Sequence, residues 1–501
     1  MKPLLASLLT LSLFAACSVF TPTPTVSPTS SIPTVVGDDD LDYLQPDLPI
    51  FREPLIESQR GALAEMKDAT VYRIEFIVDD NLVNVEGAET VFYTNQESEP
   101  LEELGFRLFP NILGGEIEIR DLTMDGTPVS PRYELANSLM IVPLESPLAV
   151  GESVRVAMRF SLRVPTEVEL NYGVLASVDG VLTLAHAYPV IPAYTDEGWN
   201  AELPPQSGDV TFNDAAFYLV SISAPKDAVV VASGLESAPA TAGPRKVWNV
   251  AGGPARDFFA AVSRDCEVVT QNVGEVAVNS YAPKSLQKEN RAMLEVATRA
   301  LETFSELYAP YPYAELDLVV TPTLALGIEY PGAIVIADKL LLGEFGEKNS
   351  AYFESTVAHE VAHQWFYNLV GNDQLDEPWL DESLAQFATW QYYRVNFGEG
   401  AADEFEDALR LRWERVEGAP MPIGMPVAKY SGLEYGAIVY GRGALFFDAL
   451  KEKMGEDAFD AFIKDYVATF SWQIATTEGV KSLAEKHCQC DLSALFEEWV
   501  Y

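Results

Sequence analysis

Residues 359–363 read His-Glu-Val-Ala-His, and residues 379–385 read Trp-Leu-Asp-Glu-Ser-Leu-Ala at the start of the next predicted helix. His359 and His363 are four residues apart, so on a helix they project from one face and can bind the same Zn²⁺ ion. Glu360 lies about 100° further round that helix, where it can reach a water molecule on the metal but not the metal itself. This short pattern predicts a metal-binding helix.

The residues around the pattern also favour a helix. Phe353, Val357 and Val361 form an apolar stripe at helical spacing. Gly371 offers a C-terminal stop. We expect this helix to span Ser350–Val370.

The second stretch supplies the third ligand that a catalytic zinc site needs, because such a site has three protein ligands and one open position. Glu382 lies in the first turn of the second helix, and a helix–loop–helix of this length can fold that helix back against the first. We therefore predict that His359, His363 and Glu382 bind one Zn²⁺ per chain. The alternative is that Glu382 is a surface carboxylate in a first helical turn, where acidic residues are common.

The chain from about residue 70 to about residue 280 alternates apolar and more polar residues with a period of two. In residues 72–78, Tyr, Ile, Phe and Val occupy every second position. Similar runs cover Val83–Tyr93, Leu104–Phe109, Val154–Val164 and Phe217–Ser223. The pattern predicts an all-β sandwich or saddle domain over residues 67–280.

From about Lys284 onward the apolar residues follow a helical period instead. Two strands are predicted at Leu316–Pro322 and Ala333–Ala337. The remaining predicted helices are Trp379–Asn396, Ala401–Val416, Tyr440–Lys453, Asp457–Thr469 and Leu492–Val500. The fold class is therefore α+β, with a second domain over residues 281–501 that combines a small sheet with a helical bundle.

The first seventeen residues read as a targeting segment. Lys2 gives a positive start, and the apolar run that follows is too short to span a membrane. The run ends in Phe-Ala-Ala-Cys at residues 14–17, which resembles a bacterial lipobox and predicts lipid attachment at Cys17. The alternative is an ordinary secretory signal. Residues 18–66, whose first part is rich in Ser, Thr and Pro, are expected to form a linker and N-terminal extension.

Charge and cysteine content restrict the classes of partner. The chain has 33 basic and 75 acidic residues, a formal net charge of −42, which disfavours nucleic-acid binding. Cys266, Cys488 and Cys490 are too few for a disulfide framework, and the last two could form a small ring or remain thiols. We expect an extracytoplasmic monomer that meets the membrane only through its N-terminal lipid.

The two zinc-binding stretches together resemble the gluzincin pattern, and their flanking residues are similar to the family of aminopeptidase N and leukotriene hydrolase. Residues 327–330, Gly-Ile-Glu-Tyr, resemble that family's Gly-x-Met-Glu-Asn segment, and residues 440–444, Tyr-Gly-Arg-Gly-Ala, resemble its Tyr-x-Lys-Gly-Ala segment. The resemblance implies a thermolysin-like catalytic domain. It also implies substrate binding by Gly327 and Glu329 on an edge strand, with Glu329 on the substrate's α-amine.

The same resemblance assigns the chemistry. Glu360 would act as the general base, and Tyr440 would donate a hydrogen bond to the developing oxyanion, with Tyr435 and Tyr430 as rival tyrosines. Arg442 would replace the family's lysine and keep its charge. Two departures stand out: the family's C-terminal helical domain is not recognisable, which implies a more open cleft, and its second amine-binding residue is not found in the β-rich domain.

The sequence thus predicts a zinc-dependent peptidase that removes N-terminal residues from peptides. An endopeptidase on the same zinc site is the first alternative, because the cleft would be more open. A non-catalytic surface protein that binds peptides is the second, although all three ligands and the base are intact. His186 is expected to be a packed histidine at the domain boundary, and His487 a surface residue.

Overall fold

The structure, a computed structural model, describes residues 49–205, 208, 210–346 and 349–501. The predicted signal segment, its lipid-attachment residue Cys17 and the linker as far as residue 48 lie outside this part of the chain. Within the described residues, we find no helix whose length and apolar character would let it span a bilayer.

The first part of the described chain is built from strands. Their bounds are β1 Val71–Val78, β2 Asn84–Thr94, β3 Leu101–Arg107, β4 Glu116–Met124, β5 Thr127–Pro128, β6 Arg132–Glu134, β7 Leu139–Leu148, β8 Ser153–Arg163, β9 Leu175–Val178, β10 Val181–Leu184, β11 Tyr194–Thr195, β12 Gly198–Trp199, β13 Ala216–Pro225, β14 Val229–Ala232, β15 Leu235–Glu236, β16 Ala240–Ala242, β17 Arg245–Ala255 and β18 Ala260–Ser263. Nine strands form one sheet in the order β15-β17-β13-β1-β2-β8-β4-β5, with β16 paired to β17. The others form the sheets β3-β7-β6, β14-β18-β10-β9 and β11-β12.

The alternating sequence pattern explains how these sheets pack. In β8 every second residue is buried, so one face of the large sheet is apolar. That face and the sheet β3-β7-β6 share one hydrophobic core, to which Phe76, Phe106, Met140 and Phe160 contribute fully buried side chains. Two sheets that enclose a common core confirm the predicted β-rich first domain.

The second part begins with a five-stranded sheet. Its strands are β19 Glu267–Val273, β20 Val276–Ala282, β21 Glu315–Thr321, β22 Gly327–Tyr330 and β23 Ala333–Ala337, in the order β19-β20-β21-β23-β22. Strand β22 lies at the edge and is antiparallel to β23. The predicted domain boundary at 280 falls inside β20, and the pairing of β20 with β21 groups residues 267–282 with the second part. Periodicity alone does not show which sheet a strand joins.

Most helices follow this sheet, but the first lies near the start of the described chain and the second lies between β20 and β21. Their bounds are α1 Ala62–Glu65, α2 Gln287–Leu307, α3 Asp338–Leu341, α4 Asn349–Ala362, α5 Glu382–Phe397, α6 Glu399–Trp413, α7 Gly432–Ala437, α8 Gly443–Met454, α9 Glu456–Phe470, α10 Thr477–Cys488 and α11 Ser493–Trp499. A single π-helical turn, Ile438–Arg442, joins α7 to α8. The small sheet with its helices confirms the predicted α+β fold.

Helix α4 differs most from its predicted bounds, and four helices were missed. Helix α4 ends at Ala362 instead of Val370, because the chain tightens into a turn and Tyr367 adopts a φ of +118°, which no helix accommodates. Helix α5 begins at Glu382, after a 3₁₀ turn at Pro378–Leu380. Helices α1, α3, α7 and α10 had no predicted counterpart.

Gly371 has a different function from the predicted helix stop. A Cβ atom on Gly371 would overlap the guanidinium group of Arg256. Arg256 follows β17 and is 2% exposed. It donates hydrogen bonds to the carbonyl oxygens of Tyr367 (2.9 Å) and Gln473 (2.7 Å). A residue of the β-rich part therefore fixes the turn that follows the predicted zinc helix.

Candidate metal centre and active site

The structure brings the three predicted zinc ligands together. His359 Nε2 lies 3.1 Å from Glu382 Oε2, and His363 Nε2 lies 3.1 Å from His359 Nε2 and 3.4 Å from Glu382 Oε2. All three side chains are buried. Helix α4 supplies His359, the turn directly after it supplies His363, and the first residue of α5 is Glu382.

Local hydrogen bonds orient two of these ligands. The ring of His363 has its Nδ1 atom 2.9 Å from the carbonyl oxygen of Phe366. Because a carbonyl oxygen only accepts, Nδ1 carries a proton, which leaves Nε2 as the ring nitrogen that can bind a metal. The side chain of Asp381 caps α5 by accepting a hydrogen bond of 2.6 Å from the backbone nitrogen of Glu382. Both arrangements are typical of partners that orient metal ligands.

The three atoms fit a zinc ion in spacing and chemistry. Zn–N and Zn–O bonds of about 2.0–2.2 Å in tetrahedral geometry separate ligand atoms by about 3.3–3.5 Å, close to the separations of the three atoms here. The Nε2 atoms of both histidines and Oε2 of Glu382 face one another across a space in which a cation would meet all three donor atoms. The donor set of two imidazoles and one carboxylate is a catalytic-type zinc set.

Glu360 and Gly327 meet beside this centre. A Cβ atom on Gly327 would overlap the side chain of Glu360, so only glycine allows the edge strand β22 to approach α4 this closely. Glu360 is 4% exposed. Burial, with the neighbouring charge of Glu329, raises the pKa of Glu360 well above its ordinary value. The environment therefore favours a carboxyl group that can both accept and release a proton.

Glu329 presents a second buried carboxylate on β22. Its oxygen, one oxygen of Glu360 and one ring nitrogen of His363 all lie within 4.8 Å of one another. Burial also raises the pKa of Glu329. Gln364, in the turn after α4, holds this strand in place by donating to Tyr330 O (3.1 Å) and accepting from the nitrogen of Gly332 (2.9 Å).

Of the three rival tyrosines, Tyr440 has its hydroxyl group in contact with a predicted zinc ligand. It lies on the π-helical turn and donates a hydrogen bond to Glu382 Oε1. The hydroxyl group of Tyr430 instead donates to Pro422 O (2.6 Å). Tyr435 is buried, with its ring centroid 5.5 Å from that of Tyr440.

The π-helical turn is held against the ligand helix. Ser383 Oγ, next to Glu382, donates to Val439 O (2.7 Å), and a Cβ atom on Gly443 would overlap Ser383. The glycine of the Gly-Ala pair thus allows α8 to approach α5. Such π-helical turns are common at functional sites, and the residue pattern of this stretch does not predict one.

Arg442 lies outside the site, although its position in the motif had suggested a retained charge there. Its side chain is 2% exposed and donates to the carbonyl oxygens of Met421 (2.9 Å), Trp499 (2.7 Å) and Glu498 (2.8 Å). It therefore ties the last helix to the bundle. Arg412 was not singled out from the sequence, yet its guanidinium carbon lies 5.7 Å from the ring centroid of Tyr440.

The other predicted residues have structural surroundings. His186 is buried against the rings of Phe109 and Tyr330, as expected for a packed histidine between the two parts, and burial lowers its pKa to about 4. His487 is half-buried and pairs with Asp465 at 2.8 Å. Two of the cysteines form a disulfide, Cys488–Cys490, and Cys266 is a free thiol.

Comparison with known proteins gives a consistent match in sequence. Residues 292–499 match the peptidase family M1 domain. Over 254 residues the chain is 30% identical to aminopeptidase M1-A of Oryza sativa subsp. japonica. This match covers 46% of this chain and 27% of that protein. Over 226 residues it is 26% identical to endoplasmic reticulum aminopeptidase 2 of Homo sapiens. This match covers 42% of this chain and 23% of that protein. The chain thus matches only about a quarter of the length of these relatives.

The fold is also similar to solved structures. The M1 zinc metallopeptidase of Deinococcus radiodurans superimposes with a TM-score of 0.65 at 19% identity, covering 86% of this chain and 94% of that one. A further structure, described as a two-domain M1 zinc metallopeptidase bound to L-arginine, gives the same values.

The β-rich domain, the small mixed sheet and the helical bundle match the fold of structures described as M1 zinc metallopeptidases, and the two histidines and the glutamate form a catalytic-type zinc donor set. Within this fold, residues 292–499 match the peptidase family M1 domain.

Proposed function

We propose that the protein is a zinc aminopeptidase that removes single residues from the N-termini of peptides. The observation that carries this proposal is the buried carboxylate of Glu329 on the edge strand β22, directly beside Glu360 and His363. A carboxylate in this place is suited to pair with a substrate's α-ammonium group, and an edge strand is suited to pair with a peptide backbone. The resemblance of the relatives, which are named aminopeptidases, supports the same activity.

The residues of the site divide the chemistry between them. His359, His363 and Glu382 would hold the zinc ion, which when bound supplies a Lewis acid for the scissile carbonyl and for water. Glu360 accepts the proton of the attacking water and passes it to the leaving amine. Tyr440 donates a hydrogen bond to the carbonyl oxygen as that oxygen gains negative charge. Glu329 fixes the register, so that the bond after the first residue is cleaved.

The test is a panel of aminoacyl fluorogenic substrates, each measured with the free amine and with an N-acetyl cap. We expect hydrolysis of the free forms, loss of hydrolysis on treatment with a chelator, recovery with zinc, and at least a 100-fold lower kcat/KM for the capped forms. Equal cleavage of capped and free peptides would instead identify an endopeptidase. Absence of zinc in the purified protein, or an unchanged biological activity in Glu360→Gln, would favour the non-catalytic alternative.

We also propose that the protein is extracytoplasmic, monomeric and anchored by lipid at Cys17. The support is the apolar run that ends in Phe-Ala-Ala-Cys at residues 14–17, together with the Ser/Thr/Pro-rich stretch after it. Metabolic labelling with a fatty acid is expected to label the wild type but not Cys17→Ser. Light scattering of the protein lacking its lipid would give the oligomeric state, and a dimer would contradict this part of the proposal.

A further inference from the structure

Gln374 connects the two ends of the site. It lies in the loop between α4 and α5 and is 2% exposed. Its Nε2 atom lies 3.1 Å from Asp381 Oδ2 and 3.5 Å from Glu329 Oε1, and its Oε1 atom lies 3.0 Å from the hydroxyl oxygen of Thr211. One amide group thus meets two carboxylates and one hydroxyl group.

The chemistry of these partners fixes the orientation of the amide. Carboxylate oxygens accept hydrogen bonds, so the –NH₂ end must face Asp381 and Glu329, with one hydrogen for each. The carbonyl end must then accept from Thr211. Each polar atom of the Gln374 side chain therefore has a partner, and rotation by 180° would set oxygen against oxygen. Such a fully satisfied buried amide holds its neighbours in one arrangement.

Each carboxylate that Gln374 contacts has its own task. Asp381 accepts from the backbone nitrogen of Glu382 and so caps the helix that carries this metal ligand. Glu329 is the residue that we assign to the substrate amine. We propose that Gln374 is a positioning residue that sets the separation between the amine-binding carboxylate and the metal-ligand helix. This inference rests on the proposed aminopeptidase function.

The position of Gln374 is set in turn from the β-rich part of the chain. Thr211 precedes β13 and is 3% exposed. Its hydroxyl oxygen also lies 3.4 Å from the hydroxyl group of Tyr367, which donates to Asp257 Oδ2 at 3.0 Å. Tyr367 is kept at a φ of +118°, a conformation that is costly for a tyrosine. This conformation places its hydroxyl group between Thr211 and Asp257.

Removal of the amide has a defined consequence. Glu329 and Asp381 would lose the donor between them, and two buried carboxylates without a shared donor repel each other and carry unsatisfied acceptors. Glu329 would then move relative to the metal-ligand helix. Substrate binding through the amine is expected to suffer more than the chemical step, because the zinc ligands and Glu360 remain.

Two substitutions at Gln374 separate hydrogen bonding from shape. Gln374→Met keeps the volume but removes every polar atom, and Gln374→Glu keeps the shape but removes both donors. We expect each to raise KM for the best free-amine substrate at least 10-fold, with less than a 5-fold change in kcat, and to reduce the preference for free over N-acetylated substrate. We also expect zinc affinity, measured by chelator competition, to fall about 10-fold, since the cap of Glu382 loses its support.

Gln391→Met on α5 is the matched control, because its Nε2 atom is buried with no hydrogen-bond partner in the described part of the chain and its Oε1 atom accepts from Arg394, away from the site. It should leave KM and zinc affinity unchanged. Thr211→Val, which removes only the hydroxyl group that orients the amide, should raise KM by a smaller factor. This variant replaces Gln374→Met in the test if Gln374→Met does not fold. If the wild type prefers free amines and the Gln374 variants keep its KM and zinc affinity, this inference is wrong. If the wild type shows no such preference, the proposed aminopeptidase function itself fails.

Discussion

Glu360 and Gly327 are in direct contact, and the backbone of the edge strand leaves no space for a side chain at residue 327. Gly327→Ala must therefore displace either Glu360 or strand β22. We expect a loss in kcat/KM of about 100-fold, since displacements of about 1 Å have effects of this size. Gly400→Ala is the control, because a Cβ atom there meets nothing within 4 Å. Retained activity in Gly327→Ala would show that the contact is not needed.

Removal of the third predicted zinc ligand should separate metal binding from folding. Glu382→Gln is expected to lower zinc affinity at least 100-fold, since loss of a ligand exceeds the roughly 10- to 100-fold effects of changes around the ligands. Zinc should raise the Tm of the wild type but not that of the variant, because a ligand stabilises only the state that binds it. Glu404→Gln, an exposed glutamate on α6, is the control. The zinc content of both proteins, measured after dialysis, gives an independent check.

Loss of the Tyr440 hydroxyl group should affect the chemical step alone. We expect Tyr440→Phe to reduce kcat roughly 100- to 1,000-fold with little change in KM, the effect of losing one donor to a developing oxyanion. Tyr430→Phe should keep kcat, since its hydroxyl group donates to Pro422 O. If Tyr430→Phe loses as much activity as Tyr440→Phe, the assignment is wrong.

The β-rich core contains a carboxyl group that should make stability depend on pH. Glu89 on β2 is 2% exposed, neither of its oxygens has a hydrogen-bond partner in the described part of the chain, and burial raises its pKa well above the ordinary value. When the pKa of a carboxyl group is higher in the folded state, the group contributes fully to the free energy of unfolding below its unfolded pKa of about 4.3. This contribution is lost as the pH rises through the folded-state pKa. Glu89→Gln should therefore gain Tm relative to the wild type as the pH is raised. Glu86→Gln, exposed on the same strand, should show no such trend.

Arg442 should be important for stability and not for substrate charge preference. Arg442→Lys replaces a planar group that donates to three carbonyl oxygens, so we expect a loss of about 2–3 kcal/mol in the free energy of unfolding. Urea denaturation measures this loss, and the substrate panel should show an unchanged order of preference. Arg410→Lys, an exposed arginine paired with Glu406, is expected to cost less than about 1 kcal/mol.

The sequence was sufficient for the parts of the site that depend on local spacing. Helical geometry alone places His359 and His363 together, and the need for a third ligand selects Glu382. Alternation with a period of two was likewise sufficient for the β-rich domain. The edge position of β22 followed from resemblance, and the strand pairing agrees with it.

Other features depend on contacts between residues far apart in the chain, which no local pattern records. Gln374 occupies a loop of ordinary composition. Its proposed positioning role is inferred only from its contacts with Thr211 and Glu329 in the folded structure. Arg442 stood in a catalytic motif, so its contacts with the last helix were not predicted. The sequence alone does not show that Gln374 contacts Glu329 and Asp381, because these residues become neighbours only through the fold.

Arg256 has a consequence for how this protein can be divided. Its guanidinium group, from the β-rich part, satisfies the carbonyl oxygens of Tyr367 and Gln473 beside the metal centre. A fragment with residues 267–501 alone would leave both oxygens without their donor, and the space kept open by Gly371 would be empty. The turn that follows the predicted zinc helix is therefore completed by a residue of the β-rich part. A fragment cut at the domain boundary should not be active.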